Sequence, residues 1–220
     1  MVENNEFKIQ LFNTLQPYEY ALITDIPLSK YLSSTGTVYD IVIAKSQHAE
    51  VVDLVKRLKG VKSNSLSVGN GGSYVNLQME DGELIIVNLI VKLLSHDKLV
   101  LMDEEVILSR RLLSHEGMFV LSIEDQFELA TLKSFLNKQG WSDKTVAYFE
   151  EFHFLIKEDL VEGFNLKYNT SFGDIYAFTT FDSAVRELIW DKIKARQGKQ
   201  SPAMKTKKWN NFLVAIRQPR

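Results

Sequence analysis

The fold class this sequence predicts is α/β: a mixed sheet flanked by helices, followed by a mainly helical C-terminal part. Three observations lead there. Short β-branched and apolar runs alternate with helical periodicity through residues 1–121. Two of those runs, 74–79 (YVNLQM) and 83–90 (ELIIVNLI), are joined by Glu80-Asp81-Gly82, which is hairpin turn chemistry and makes the sheet mixed. Beyond Ser122 the apolar spacing is helical. The reading therefore has an α/β domain over 1–121 and a helical region with a basic tail over 122–220.

Phe7, Leu11, Phe12 and Leu15 recur at helical spacing, and Pro17 ends that segment. Residues 20–23 form a short apolar run suited to a strand. Residues 37–43 (TVYDIVI) read as a buried strand around one acid. Ala49, Val52, Val55 and Leu58 mark a helix face closed by Gly60. Residues 61–68 read as another strand, and Gly69-Asn70-Gly71-Gly72 as a flexible connector into the hairpin. That glycine run lacks the Lys-Ser/Thr pair and the following helix of a phosphate loop.

Residues 103–113 read as a helix and 118–121 as a short strand. Ser122, with Asp125 three residues on, resembles a capping box and starts a helix through Leu129, Leu132 and Leu136. Ser142 caps another through Val146, Phe149 and Phe152. A Gly-rich loop is expected around Gly163 and Gly173, then a helix from 181 to about 196 and a final apolar segment over 209–216.

The chain has 220 residues, 45% of them hydrophobic, so a buried core is available; its net charge of −2 argues against a uniformly basic nucleic-acid binder. Cysteine is absent, which excludes disulfides, thiol nucleophiles and thiolate zinc sites. The first residues lack the basic start and apolar run of a signal peptide. The longest apolar candidate for a membrane span, 84–94, is broken by Asn88 and Lys92. A cytoplasmic location is the resulting expectation. Residues 184–220 hold ten basic and two acidic residues, a net +8, against −10 for the rest. An anionic partner for that tail, or the chain's own acidic body, would answer the asymmetry. Lys205-Thr206-Lys207-Lys208-Trp209 pairs cations with an aromatic, a combination that can bind nucleic acid or a nucleotide base and that also occurs on solvated surfaces. His48, His96, His115 and His153 show no metal-ligand spacing.

The order of these segments runs from Thr35-Gly36 through TVYDIVI, the MEDGEL hairpin and IIVNLI to Met102-Asp103-Glu104-Glu105, Arg110-Arg111 and the SIEDQFELATL helix start. It resembles the nucleotidyltransferase superfamily, specifically bacterial nucleotidyltransferase-like proteins found near surface-polysaccharide genes. The likeness covers roughly residues 20–149. It implies a site in which two carboxylates two residues apart share a strand face, because strand side chains alternate. A third carboxylate on a neighbouring strand completes a cage for two Mg²⁺ ions, and a Gly-Ser turn holds phosphates.

Carried onto this chain, the resemblance makes Asp40 the catalytic acid and metal ligand. Val38 stands two residues before it, where a second acid belongs. Asn88 stands in the third place, a weak neutral ligand at best. The turn falls in 33–36, so Ser34, Thr35 and Gly36 are the implied nucleotide-binding residues, with Lys45 and Arg110 neutralising phosphate. The pattern is eroded, which implies a catalytically degenerate relative that binds a nucleotide or sugar nucleotide. Two other readings stay open: an active Mg²⁺-dependent transferase with Asp81, Glu83 or Asp97 as the missing acid, and a scaffold that keeps only the fold. Asp40 and Asn88 also have purely structural readings, as an acid paired within the sheet and as a sheet hydrogen-bonding residue.

Overall fold

The computed structural model describes residues 3–24, 37–95, 98–153 and 155–198. It begins with α1 (Glu3–Leu15), β1 (Tyr20–Ile23), β2 (Val38–Ile43) and α2 (His48–Val55). A meander follows: β3 (Val61–Gly69), β4 (Gly72–Met79) and β5 (Leu84–Ile90). Next come β6 (Lys92–Leu94), β7 (Val100–Asp103), α3 (Glu104–Arg110), β8 (Leu112–Leu113) and β9 (Phe119–Val120). The rear is α4 (Ile123–Leu136), α5 (Asp143–Phe152), α6 (Lys157–Tyr168), a 3₁₀ turn (Ile175–Thr179) and α7 (Ser183–Gly198).

The mixed α/β class predicted from the sequence is the one observed. Seven strands form a sheet in the order β3-β4-β5-β2-β1-β9-β8, and β6 and β7 pair separately. β4 is antiparallel to both β3 and β5; β5 joins β2 in parallel; β2 and β1 are antiparallel; β1 joins β9 in parallel. The β3–β4 turn needs glycine at position 72. Its φ is +151°, and a Cβ there would stand 2.0 Å from the Leu89 carbonyl oxygen.

Two hydrophobic clusters hold the two faces. On one, α1 and α2 supply Phe7, Leu11, Leu15, Val51 and Val55 against Tyr39, Ile41, Val75, Leu77, Val87 and Leu89 of the sheet. The other begins at Ala21, Val42 and Ile90, takes in Ile107 and Leu108 of α3, and continues into the rear helices. There the packing is aromatic. Phe178 is fully buried, with ring centroids 4.9 Å from Trp141, 5.2 Å from Phe127 and 3.8 Å from Phe172. Gly140 lets two backbones meet, because a Cβ there would lie 1.9 Å from the Thr179 oxygen.

Three local expectations change. The helix expected over 103–113 stops at Arg110; Leu112 and Leu113 instead pair with Val120 and Phe119, closing a hairpin through Gly117 at φ +78°. Gly163 lies inside α6 rather than in a loop, because burying Leu160, Val161, Phe164 and Tyr168 outweighs the roughly 1 kcal/mol helix cost of one glycine. The β6–β7 hairpin was not legible, its three- and four-residue strands being too short for a periodic signal. The expected apolar segment at 209–216 lies outside the described residues. Among the described residues no helix is long and apolar enough to cross a membrane.

Candidate functional site: the open half of a sheet face

Strand register defines the site. Asp40 on β2 pairs with Asn88 on the parallel neighbour β5; Asn88 pairs with Tyr74 on β4, and Tyr74 with Ser67 on β3. On the other side Asp40 pairs with Ile23 of β1. Residues in register share a face, so these five side chains form one transverse row across five strands. A second row, Ser65, Asn76, Ile86 and Val38, runs beside it, and Ser63, Gln78 and Leu84 make a third.

This is the face opposite α1 and α2, and the described residues cover only half of it. Ala21, Val42 and Ile90 lie beneath α3 and the rear helices. Toward β3 the cover stops: Tyr74 is 49% exposed and Val38 51%, and Ser63, Ser65 and Ser67 are exposed. Asp40 and Asn88, both partly buried, stand where the covered and open halves meet. The alternation that produces this face is present in YVNLQM: Val75, Leu77 and Met79 go to the core, and Tyr74, Asn76 and Gln78 go to the open side.

Asn88 Nδ2 donates to Asp40 Oδ1 at 3.0 Å. The amide nitrogen that faces the carboxylate cannot ligate a cation. No group of three His, Asp or Glu positioned for a metal occurs among the described residues. Beside Asp40 the described residues thus place an apolar Val38 and an amide donor, which does not fit a paired Mg²⁺ cage. Asp40 has no ion-pair partner among the described residues.

The remaining expected residues fall elsewhere. Ser34, Thr35 and Gly36 lie outside the described residues, as do Asp97, His96 and the basic run at 205–209. Lys45 is just past the end of β2, five residues from Asp40 and so roughly 16 Å along the strand at ~3.3 Å per residue. It lines an open cleft of about 430 Å³ with Glu19, Glu104, Glu105 and Arg111. Burial there pushes the Glu104 carboxyl above its ordinary range, against the opposing pull of Lys45.

Arg110 belongs to the rear. Its guanidinium is bound to Asp125 Oδ1, and Asp125 is wholly buried. Burial raises the Asp125 carboxyl, and the Arg110 charge opposes that rise. Ser122 caps α4 through Asp125 N–H at 3.1 Å, so one half of the expected capping box forms while the Asp125 side chain serves the ion pair.

Sequence reasoning missed the neighbouring cluster. Glu128, one turn on from Asp125, receives Lys167 Nζ and the Tyr168 hydroxyl, with Arg196 at 3.7 Å. The available signal was the i, i+3 spacing of two acids on a helix face that otherwise carries Phe127, Thr131 and Phe135. Arg110, Glu128 and Lys167 line two cavities of about 170 and 220 Å³, and neither includes Asp40 or Asn88.

No protein-family model matches this chain. No curated protein matches it at a significant level. Among solved structures it is similar to a candidate nucleotidyltransferase from H. pylori, with TM-score 0.47 and 11% identity, over 91% of this chain and 97% of that one. A second similarity is to the Megavirus polyadenylate synthase, with TM-score 0.31 and 11% identity, covering all of this chain and 50% of that one.

Proposed function

We propose that this chain is a nucleotidyltransferase-like protein that binds a nucleotide or sugar nucleotide on its open sheet face without transferring it. The observation that carries this reading is the row Tyr74–Asn88–Asp40. Three adjacent strands at ~4.8 Å spacing make it roughly 10 Å long, the size of a nucleoside. An exposed tyrosine ring at one end offers a stacking surface for a base. The carboxylate at the other end, held by Asn88, keeps an oxygen for sugar hydroxyls. Asn76, Gln78 and the serines of β3 add uncharged donors and acceptors around it.

Transfer needs charge that the described residues of this face do not offer. A single carboxylate with no cation beside it among the described residues repels a triphosphate rather than activating it. Binding is therefore directed at base and sugar, and is independent of divalent metal.

The test is thermal melting against ATP, CTP, GTP, UTP and sugar nucleotides, each with and without Mg²⁺ or Mn²⁺. A ligand at 100 times its Kd should add roughly 2.7 kcal/mol. The expected result is a metal-independent shift that Tyr74→Ala and Asp40→Ala both remove. A shift that requires metal, together with turnover lost in Asp40→Ala, would make the chain an active transferase. Absence of any shift across the panel would leave the open face without a nucleotide.

A further inference from the structure

The sheet ends on β3, and that edge is unusually bare. Eight of its nine residues, Lys62 to Gly69, are exposed, so no described element roofs either face of the strand. Among the described residues its one hydrogen-bonded neighbour in the sheet is β4. The other side therefore presents a row of backbone N–H and C=O groups that no described strand pairs, a template for another strand. Such edges are ordinarily blunted by charge, proline or brevity. In a chain that is 25% charged, residues 63–69 (SNSLSVG) hold no charge and no proline. The one charge, Lys62, sits at the register shift between Val61 and Ser63, leaving the rest of the strand regular. Leu66 and Val68 are 40% and 72% exposed on the side away from the serines.

We propose that β3 pairs antiparallel with β3 of a second copy about a twofold axis at Ser65. Centring on Ser65 overlaps all nine residues. Ser63 then faces Ser67, Asn64 faces Leu66, and Lys62 faces Val68, so no like charges meet. The aliphatic stem of each lysine lies against an exposed valine of the other copy. The strand is thus complementary to itself. The pairing is isologous: each copy uses its β3 edge once, so assembly stops at two. The far edge offers no equivalent, since β8 is two residues long and bounded by Arg111. Joining the copies makes the two sheets one, and the serine rows of the open faces run on across the axis.

The absence of cysteine makes the test specific, because one introduced thiol is the only thiol. Antiparallel partners have Cα atoms ~4.5–5.5 Å apart, within the ~4.4–6.8 Å that a disulfide spans. Ser65→Cys should therefore link two chains on mild oxidation, whereas Ser109→Cys, on the outer side of α3, should not. By light scattering the unaltered chain should have twice the 25.3 kDa chain mass at micromolar concentration. Ser65→Lys, which sets two lysines opposite each other, should return it to one. A chain that is monomeric at these concentrations overturns the proposal. So does a dimer in which Ser65→Cys links no better than Ser109→Cys. The thiol readout stands even if Ser65→Lys fails to fold, since Ser65 is exposed and cysteine is nearly its isostere.

Discussion

The rear core and the open half of the sheet face each centre on a carboxylate, and they treat it in opposite ways. Asp125 has no exposed surface, is bound by a guanidinium, and sits beside a second acid neutralised by Lys167 and Arg196 and hydrogen-bonded by the Tyr168 hydroxyl. Asp40 is partly exposed, is held by a neutral amide, and looks onto serines, amides and a tyrosine. A buried charge must be paired, so the first arrangement is what a packed interior demands. The second is not demanded by packing at all. An acid placed in a sheet, oriented by its neighbour and left facing outward is available to a ligand. Under the proposed function, Asp125 is the structural acid and Asp40 the ligand-facing one, and their surroundings separate them more sharply than their identities do.

The comparison can be broken most severely at the rear. Phe178→Ala should cost about 3–5 kcal/mol, read from urea unfolding, because that ring contacts Trp141, Phe127 and Phe172 within a sealed cluster. Arg110→Ala should cost about 3 kcal/mol by the same measurement, near the low end for a broken buried pair because Arg110 is half-exposed. Its signature is a pH dependence. The Asp125 carboxyl is already raised by burial, so losing the cation should hurt little in acid, where the group is neutral in both states. The loss should grow as pH rises above the ordinary carboxylate value.

At the open face the informative change is a gain. Val38→Asp with Asn88→Asp sets three carboxylates on one face of adjacent strands, since Val38 and Asp40 share that face and Asn88 is in register with Asp40. Their mutual repulsion should lower stability without metal, and Mn²⁺ or Mg²⁺ should restore it. At 100 times Kd the recovery is roughly 2.7 kcal/mol in the melting curve. A variant indifferent to metal would mean the face cannot assemble a cage even when given the acids.

A graded effect separates the regions by pH. Burial holds His153, edge-on to Tyr148 and tilted against Phe149, and His48 below the ordinary value of 6.5. A depressed histidine contributes its full stability above the unfolded value and loses it as pH falls. The urea midpoint should therefore drop between about pH 7.5 and 5.5, and His153→Gln should flatten that slope. The smallest effect is expected at the most interesting residue. Asp40→Asn should change stability by no more than about 0.5 kcal/mol, because a partly exposed acid with one amide partner supports little packing.

Most of this fold was legible because its signals are local. TVYDIVI, YVNLQM and ELIIVNLI each carry strand character in a few residues, and Pro17, Gly60 and Ser142 punctuate the helices. The lapses have physical causes: Gly163 is overridden by tertiary packing, and Leu112 and Leu113 take their state from a partner strand. Within the site, Asp40 and Asn88 were legible as positions, but that one holds the other depends on strands 48 residues apart falling into register. Tyr74 and the β3 serines were hidden for the same reason. Alternation announces that a strand has two faces, and only the order of strands says which face stays open.

The parallel joins in this sheet also set an order of assembly. β3, β4 and β5 meet through a two-residue and a four-residue turn, contacts that hairpins form within microseconds. The pairing of Leu22 with Val120, and with it the closure of the rear core, must wait for a loop of nearly a hundred residues. The strands that carry Tyr74 and Asn88 should therefore gain amide protection in pulse-labelled exchange before Phe127 and Phe178 do. On a ribosome the same geometry lets the rows of the open face form while the helices that seal Asp125 are still being synthesised.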